Sequence, residues 1–356
     1  MRGAVRRRGR MPPVAGSPWR LTAGAGLALT AVLFLLPLLT VRGEGGGAAG
    51  ETENAPLTAT APEGQTTRAA RDRGHIVKLL QPDGTVEELT MVDYLFGVVA
   101  AEMPAAFEEE ALKAQACAAR TYTVVRQASA HAAHPQADVC TDSGCCQAYV
   151  ERQAAETRWG ISAGTYSAKI SQAVADTDGL GILYQGAPIQ AVFFSSAPGQ
   201  TADAVAVWGS QVDYLKSVSS PEGDEVPNYR SQVVLTAEEV RSRVLAAYPG
   251  ADLSGDPSGW LGTPASSGGA VTSIPVGGVT LTGSQVRTLF SLRSAAFTVA
   301  WDGTSFIFSV TGYGHGVGMS QYGANAMARA GSTFRDILTW YYTGTEVGEL
   351  YGAAGE

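Results

Sequence analysis

Apolar and polar positions alternate with different periods along this chain, and the changes of period mark its elements. Residues 21–41 carry no charge over 21 positions. As a helix rising about 1.5 Å per residue, they would cross a hydrocarbon layer of roughly 30 Å. Residues 42–74 are rich in Gly, Ala, Thr, Glu and Pro without an apolar period, and predict a disordered tether. A strand is expected at 76–80, closed by the turn Pro82-Asp83-Gly84. An apolar helix is predicted over 93–101. It breaks at Glu102-Met103-Pro104, because a residue before proline avoids helical dihedrals. A second helix, over 108–128, opens on three glutamates that suit the positive end of its dipole.

Later segments are shorter. A hairpin is predicted over 181–195, with strands 182–184 and 189–194 joined through Gln185-Gly186. Thr236 and Glu239 form a capping box ahead of a helix over 240–247. A further helix is expected at 281–292, and strands at 297–300 and 306–310 flank the turn Asp302-Gly303. Ser320 caps a last helix that ends near Gly331. Helices and strands mix without regular alternation, so the expected class is α+β, as one domain over 75–346.

Charge adds a compartment. Six arginines lie within residues 1–20, a basic tail ahead of the apolar span. The positive-inside rule keeps that tail cytoplasmic and the remainder outside. A cleaved signal peptide is the rival reading; the long apolar run and the poor cleavage site at 38–42 favour a retained anchor. Without the seven arginines of residues 1–42, 18 of the 25 basic residues face 33 acidic ones, a net charge of −15. Bulk charge of that sign does not suit nucleic acid, so an anionic ligand needs a local basic spot.

Candidate chemistry lies in three places. Glu102, between two helices and beside Val98, Val99 and Met103, can sit at the lip of an apolar pocket, where burial keeps a carboxyl protonated. Otherwise it is an exposed helix-end charge. Lys113 and Arg120 fall on one helical stripe and either face a cleft or form a solvated face. His315 stands among Gly312, Gly314, Gly316 and Gly318, a run that lets backbone approach a ligand closely or simply makes a turn. Finally, His134, Cys140, Cys145 and Cys146 have the composition of a tetrahedral zinc site. A disulfide from Cys140 to Cys145 or Cys146 is the alternative, and His131 can replace one ligand. Cys117, in an alanine-rich helix, is expected to be a buried small hydrophobe.

Three segments resemble the stage II sporulation protein D family. The first runs from Tyr94 through Glu102-Met103-Pro104 to Lys113, Arg120 and Tyr122. The second holds 194–201 with Val207-Trp208-Gly209; the family usually shows Ser-Gly-Gly where this chain has Ala197-Pro198-Gly199. The third is 312–324, with His315, Gln321 and Tyr322. The resemblance implies a peptidoglycan lytic transglycosylase that acts on peptide-stripped glycan strands during forespore engulfment. Its partner would be a sporulation amidase resembling stage II sporulation protein P. It implies Glu102 as the catalytic acid. Lys113, Arg120, His315, Gln321 and Tyr322 are then candidates for the substrate site, the two cations for the lactyl carboxylate of muramic acid. The family often shows histidine where Cys145 stands, and structural zinc is the expected cofactor. A non-enzymatic glycan-binding activator of an amidase is the competing class. A zinc hydrolase is disfavoured, since no His-Glu-x-x-His helix is present and three thiolates with one imidazole leave no open position. A serine hydrolase lacks its Gly-x-Ser-x-Gly frame.

Overall fold

The computed structural model describes residues 70–129 and 132–351. The expected basic tail, apolar span and most of the tether lie outside the described residues. Among those described, no helix is long and apolar enough to cross a membrane.

Among the described residues the architecture is mixed α+β, with helices and five small sheets of two or three strands. It starts earlier than the sequence suggests. Helix α1 (Ala70–Gly74) belongs to the folded body, because its Asp72 is fully buried. Strand β1 (Ile76–Leu80) is the expected one; past the expected turn it pairs with β2 (Val86–Thr90), which the sequence reading did not place, and β3 (Val139–Cys140) pairs with β1 in parallel. Helix α2 (Met91–Glu102) begins where the Thr90 hydroxyl accepts the Asp93 amide. It is apolar on nearly every face, as a central buried helix must be. It ends at Met103, whose extended backbone (φ −120°, ψ 144°) is what Pro104 demands. Helix α3 (Glu109–Gln127) packs beside it through its alanines and Cys117, which is buried as expected.

Two helices were not legible: α4 (Arg152–Trp159) and α5 (Ala163–Asp176). The expected hairpin is also shorter. Strand β4 (Leu180–Tyr184) turns through Gln185-Gly186 into β5 (Ala187–Pro188), but β6 (Phe193–Phe194) leaves it and pairs with Met319-Ser320. That departure carries 193–194 away from the hairpin to the cleft described below. Helix α6 (Ala204–Trp208) follows.

Residues 230–311 build a second hydrophobic core. Strand β7 (Arg230–Thr236) meets the capping box of helix α7 (Ala237–Ala247). Strands β8 (Ala265–Ser267), β9 (Ala270–Val276) and β10 (Val279–Leu281) form a small antiparallel sheet, and helix α8 (Gly283–Phe290) packs against it. The hairpin β11 (Phe297–Trp301) and β12 (Ser305–Thr311) joins β7. Phe290, Phe297, Phe306 and Phe308 fill this core. After β13 (Met319–Ser320), Ser320 does cap a helix, α9 (Gln321–Arg329). It is not the last: α10 (Phe334–Tyr341) follows, and β14 (Glu346–Glu349) closes on β4.

Candidate active site

Glu102 occupies the last turn of α2, where no basic residue offsets the negative end of the helix dipole. It opens into a cavity of about 380 Å³ lined by Gln147, Phe193, Arg287, Tyr313, His315 and Gln321, among others. Glu102 is the one carboxyl lining it among the described residues. Its Oε1 accepts the Ala148 amide at 2.7 Å, and its Oε2 accepts the Gln321 side-chain amide at 3.2 Å. Burial raises its pKa above the ordinary carboxyl range, and these two hydrogen bonds only partly oppose the rise. The group is therefore part-dry, oriented at both oxygens, and biased toward its protonated form.

Two supports aim it. Gln321 is the first residue of α9, and its amide lies 3.4 Å from the Gln115 carbonyl oxygen as well. The start of α9 is held by Glu222, which the sequence reading did not single out. The Glu222 carboxylate accepts the Ala197 amide at 2.6 Å and the Ser220 hydroxyl at 2.5 Å, and it also accepts the Ser320 hydroxyl. Ser220 in turn bonds the Tyr341 hydroxyl at 2.6 Å. A buried carboxylate thus ties the 195–197 loop to the helix that presents Gln321.

The second support is the segment that supplies the Ala148 amide. Just before it, His134, Cys140, Cys145 and Cys146 bring one donor atom each to within 4.8 Å of one another. His134 donates Nδ1–H to the Ala137 carbonyl at 3.1 Å, which leaves Nε2 facing the Cys146 sulfur at 3.3 Å. All four cysteines are free thiols, so neither alternative disulfide is formed. Burial disfavours ionisation of Cys146, but hydrogen bonds involving Cys140 and His134 hold its pKa below the ordinary thiol range. Burial instead pushes Cys140 up to about 12. A zinc tetrahedron with bonds of about 2.3 Å has edges of about 3.8 Å, so this donor set fits such an ion. His131 lies outside the described residues.

Other expected site residues lie elsewhere. Arg120 is fully buried, its guanidinium on both oxygens of Asp72 at 2.6–3.0 Å and on the Leu180 carbonyl. It braces α1 against α3 and cannot reach the cavity. Lys113 sits between Glu110 at 2.9 Å and Asp176 at 3.2 Å, on the side facing α5. The stripe seen in the sequence exists, but it faces protein. Tyr322 packs edge-on against Phe107 at 4.9 Å and does not line the cavity.

His315 does line it, with both ring nitrogens committed. Nε2–H donates to the Phe193 carbonyl at 2.9 Å, and Nδ1 accepts the Val317 amide at 3.2 Å. Burial lowers its pKa to about 4, so the ring is neutral and works as a wall, not as a donor to ligand. Its glycines also serve the fold. A Cβ on Gly312 would lie 2.5 Å from the Ser196 carbonyl oxygen, and one on Gly318 would lie 2.1 Å from that of Val192. At these two positions the close approach is between two backbone segments. Trp208, 45% exposed, leans on His315 at 5.8 Å.

The cavity carries one cation that sequence reasoning missed. Arg287 reaches it from α8 in the second core. No local motif marks it; only the packing of distant segments brings it into the same cavity as Glu102.

A mixed α+β chain with one oriented carboxyl at a cleft, braced by a Cys₃His cluster, is the class that fold and site define. Comparison with known proteins specifies it further. Residues 82–184 match the model of the SpoIID family, described as Stage II sporulation protein. The chain is 37% identical to Stage II sporulation protein D of Bacillus subtilis (strain 168) over 327 residues, 90% of this chain and 94% of that one. The counterpart from Bacillus amyloliquefaciens is 37% identical over 266 residues, 74% of this chain and 76% of that one. An Amidase enhancer of Bacillus subtilis is 28% identical over 302 residues, 70% of this chain and 40% of that one. This chain belongs to the stage II sporulation protein D family.

Proposed function

We propose that the chain is a peptidoglycan lytic transglycosylase that cleaves between N-acetylmuramic acid and N-acetylglucosamine. The observation that carries this reading is Glu102 itself: one buried carboxyl, its pKa raised by burial, in a cavity where no second carboxyl is found among the described residues. A two-carboxylate glycosidase needs an acid and a nucleophile or base at a set separation. A lytic transglycosylase needs only one group. Protonated Glu102 gives its proton to the bridging oxygen as the C1–O bond breaks. The carboxylate then takes the proton of the muramic C6 hydroxyl, whose oxygen bonds to C1 and forms the 1,6-anhydro ring. Because the nucleophile belongs to the same sugar, no water is consumed and little entropy is lost. Gln321 and the Ala148 amide hold the carboxyl through both steps.

His134, Cys140, Cys145 and Cys146 would hold one structural zinc ion, whose bound thiolates would fix the segment that ends at Ala148. Membership of the sporulation family supports action at the septal wall, from a membrane anchor at residues 21–41. The likeness to an amidase enhancer favours a cell-wall amidase as partner, and also a second reading, in which the chain binds glycan and activates the amidase without cutting. Digestion of purified glycan with and without stem peptides separates these. The transglycosylase releases 1,6-anhydro ends, mainly from stripped strands, and little from intact sacculi. Retained binding with no anhydro product would select the second reading.

A further inference from the structure

Arg287 is placed unlike any other cation among the described residues. It lines the Glu102 cavity, and no other lysine or arginine there does so. The described ion pairs are those of Arg71, Lys113, Arg120 and Arg230; Arg287 has none. The contact recorded for its side chain is a bond of 3.3 Å from Nε to the Arg293 carbonyl. Among the described contacts, none takes its two terminal nitrogens, the pair that grips a carboxylate in parallel. Glu102 makes no described ion pair with it, and its oxygens accept from Ala148 and Gln321. A half-buried guanidinium without a counter-ion is costly to the fold. A planar, bidentate anion would repay that cost.

Resting on the proposed cleavage of glycan, we infer that Arg287 binds the lactyl carboxylate of the muramic sugar whose glycosidic bond Glu102 protonates. Arg287 thereby makes the cavity select stripped strands. While a stem peptide is attached, that carboxyl is an amide: it has no charge and no second oxygen to accept. Removal of the peptide frees a carboxylate of the size and charge that the fork takes. The class of reaction that must precede this enzyme is therefore hydrolysis of the lactyl amide. Arg287 takes the role that the sequence assigned to Lys113 and Arg120.

The test measures binding as well as cutting, so that it survives failure of the cleavage reading. Stripped glycan strands are divided, and the lactyl carboxylates of one half are converted to methylamides. Binding of both to the Glu102→Gln chain is measured at low and moderate salt, in Arg287, Arg287→Gln and Arg287→Lys backgrounds. Cleavage of both is measured with Glu102 intact. With Arg287, binding should be roughly 10-fold or more tighter for the carboxylate form, the scale of a charge-assisted pair. Arg287→Gln should bind the two forms equally, with a raised KM for the carboxylate form and a smaller change in kcat. Arg287→Lys should recover part of the preference. Thermal melts establish that the variants are folded. A folded Arg287→Gln chain that keeps the wild-type preference would overturn the inference, and so would an Arg287 chain that shows none. Absence of anhydro product with the binding preference intact would overturn only the cleavage reading.

Discussion

Glu102 has a raised pKa because α2 delivers it into a buried cavity beside Val192, Phe193 and Phe194, where ionisation costs desolvation. The penalty has a signature in stability. Between the ordinary carboxyl pKa of about 4.3 and the higher value in the fold, the native state binds more protons than the unfolded chain. Stability is therefore full below that window and is lost as pH rises through the folded pKa. Glutamine cannot ionise and can still accept the Ala148 amide. Glu102→Gln should accordingly melt at or above the wild-type temperature at pH 7, with the difference vanishing toward pH 4; a variant markedly less stable at pH 7 would show that the carboxylate is a stabilising group instead. At this scale, Glu102 and Gln321 were legible because they lie in unbroken local motifs. The placement of Arg120 and Lys113 away from the cavity, and what the His315 nitrogens bond, were not legible because a charge or an imidazole in a sequence carries no direction. Asp72, Asp176 and the Phe193 carbonyl, which decide what those groups do, come from other segments.

Among elements, α9 shows how tightly the site is built. Alanine is the better helix former than glycine by about 1 kcal/mol. At Gly323, however, a Cβ would meet the Tyr341 hydroxyl at 2.1 Å, the Ser220 hydroxyl at 2.4 Å and Glu222 at 2.6 Å. Overpacking of this kind costs about 1–3 kcal/mol, so it should outweigh the propensity gain. Gly323→Ala should lower the melting temperature and slow glycan cleavage, by displacing Gln321. A variant as stable as wild type would mean that the Glu222 network yields easily. The Cys₃His loop makes a parallel claim about the other support. Cys140→Ser should lose zinc by metal analysis and lower stability more than activity per folded molecule. Absence of zinc together with a disulfide in mass spectra of the native protein would refute it. Elements with sharp local signals were read well: the β1–β2 turn, the end of α2, the Thr236 capping box and the Ser320 cap. Helix α4 was missed because it buries only Ala155, and α5 because its buried residues, Ile170, Ala173 and Val174, are confined to its second half. Strand β6 was placed in the wrong sheet because its partner lies more than a hundred residues away.

At the scale of the whole molecule, the cleft joins two hydrophobic cores. The first, with α2, α3 and α9, supplies the acid and its supports; the second, through α8, supplies Arg287. The sequence suggested one mixed domain and did not resolve this pairing, since long-range packing leaves no period in a chain. The charge balance belongs to this scale as well: a net −15 outside residues 1–42 would keep the body off anionic polymers except where Arg287 stands. With the proposed anchor at residues 21–41, protease added to intact protoplasts should remove the body, and full protection would refute that topology.

The proposed cleavage depends above all on the proton that Glu102 would deliver. The most direct measurement is the rate at which stripped glycan yields 1,6-anhydro-muramic ends, compared between wild type and Glu102→Gln at equal folded concentration. Removing a positioned acid that also acts as base should cost roughly 10²–10⁴-fold, with glycan binding retained. A Glu102→Gln protein that releases anhydro ends at close to the wild-type rate would contradict it.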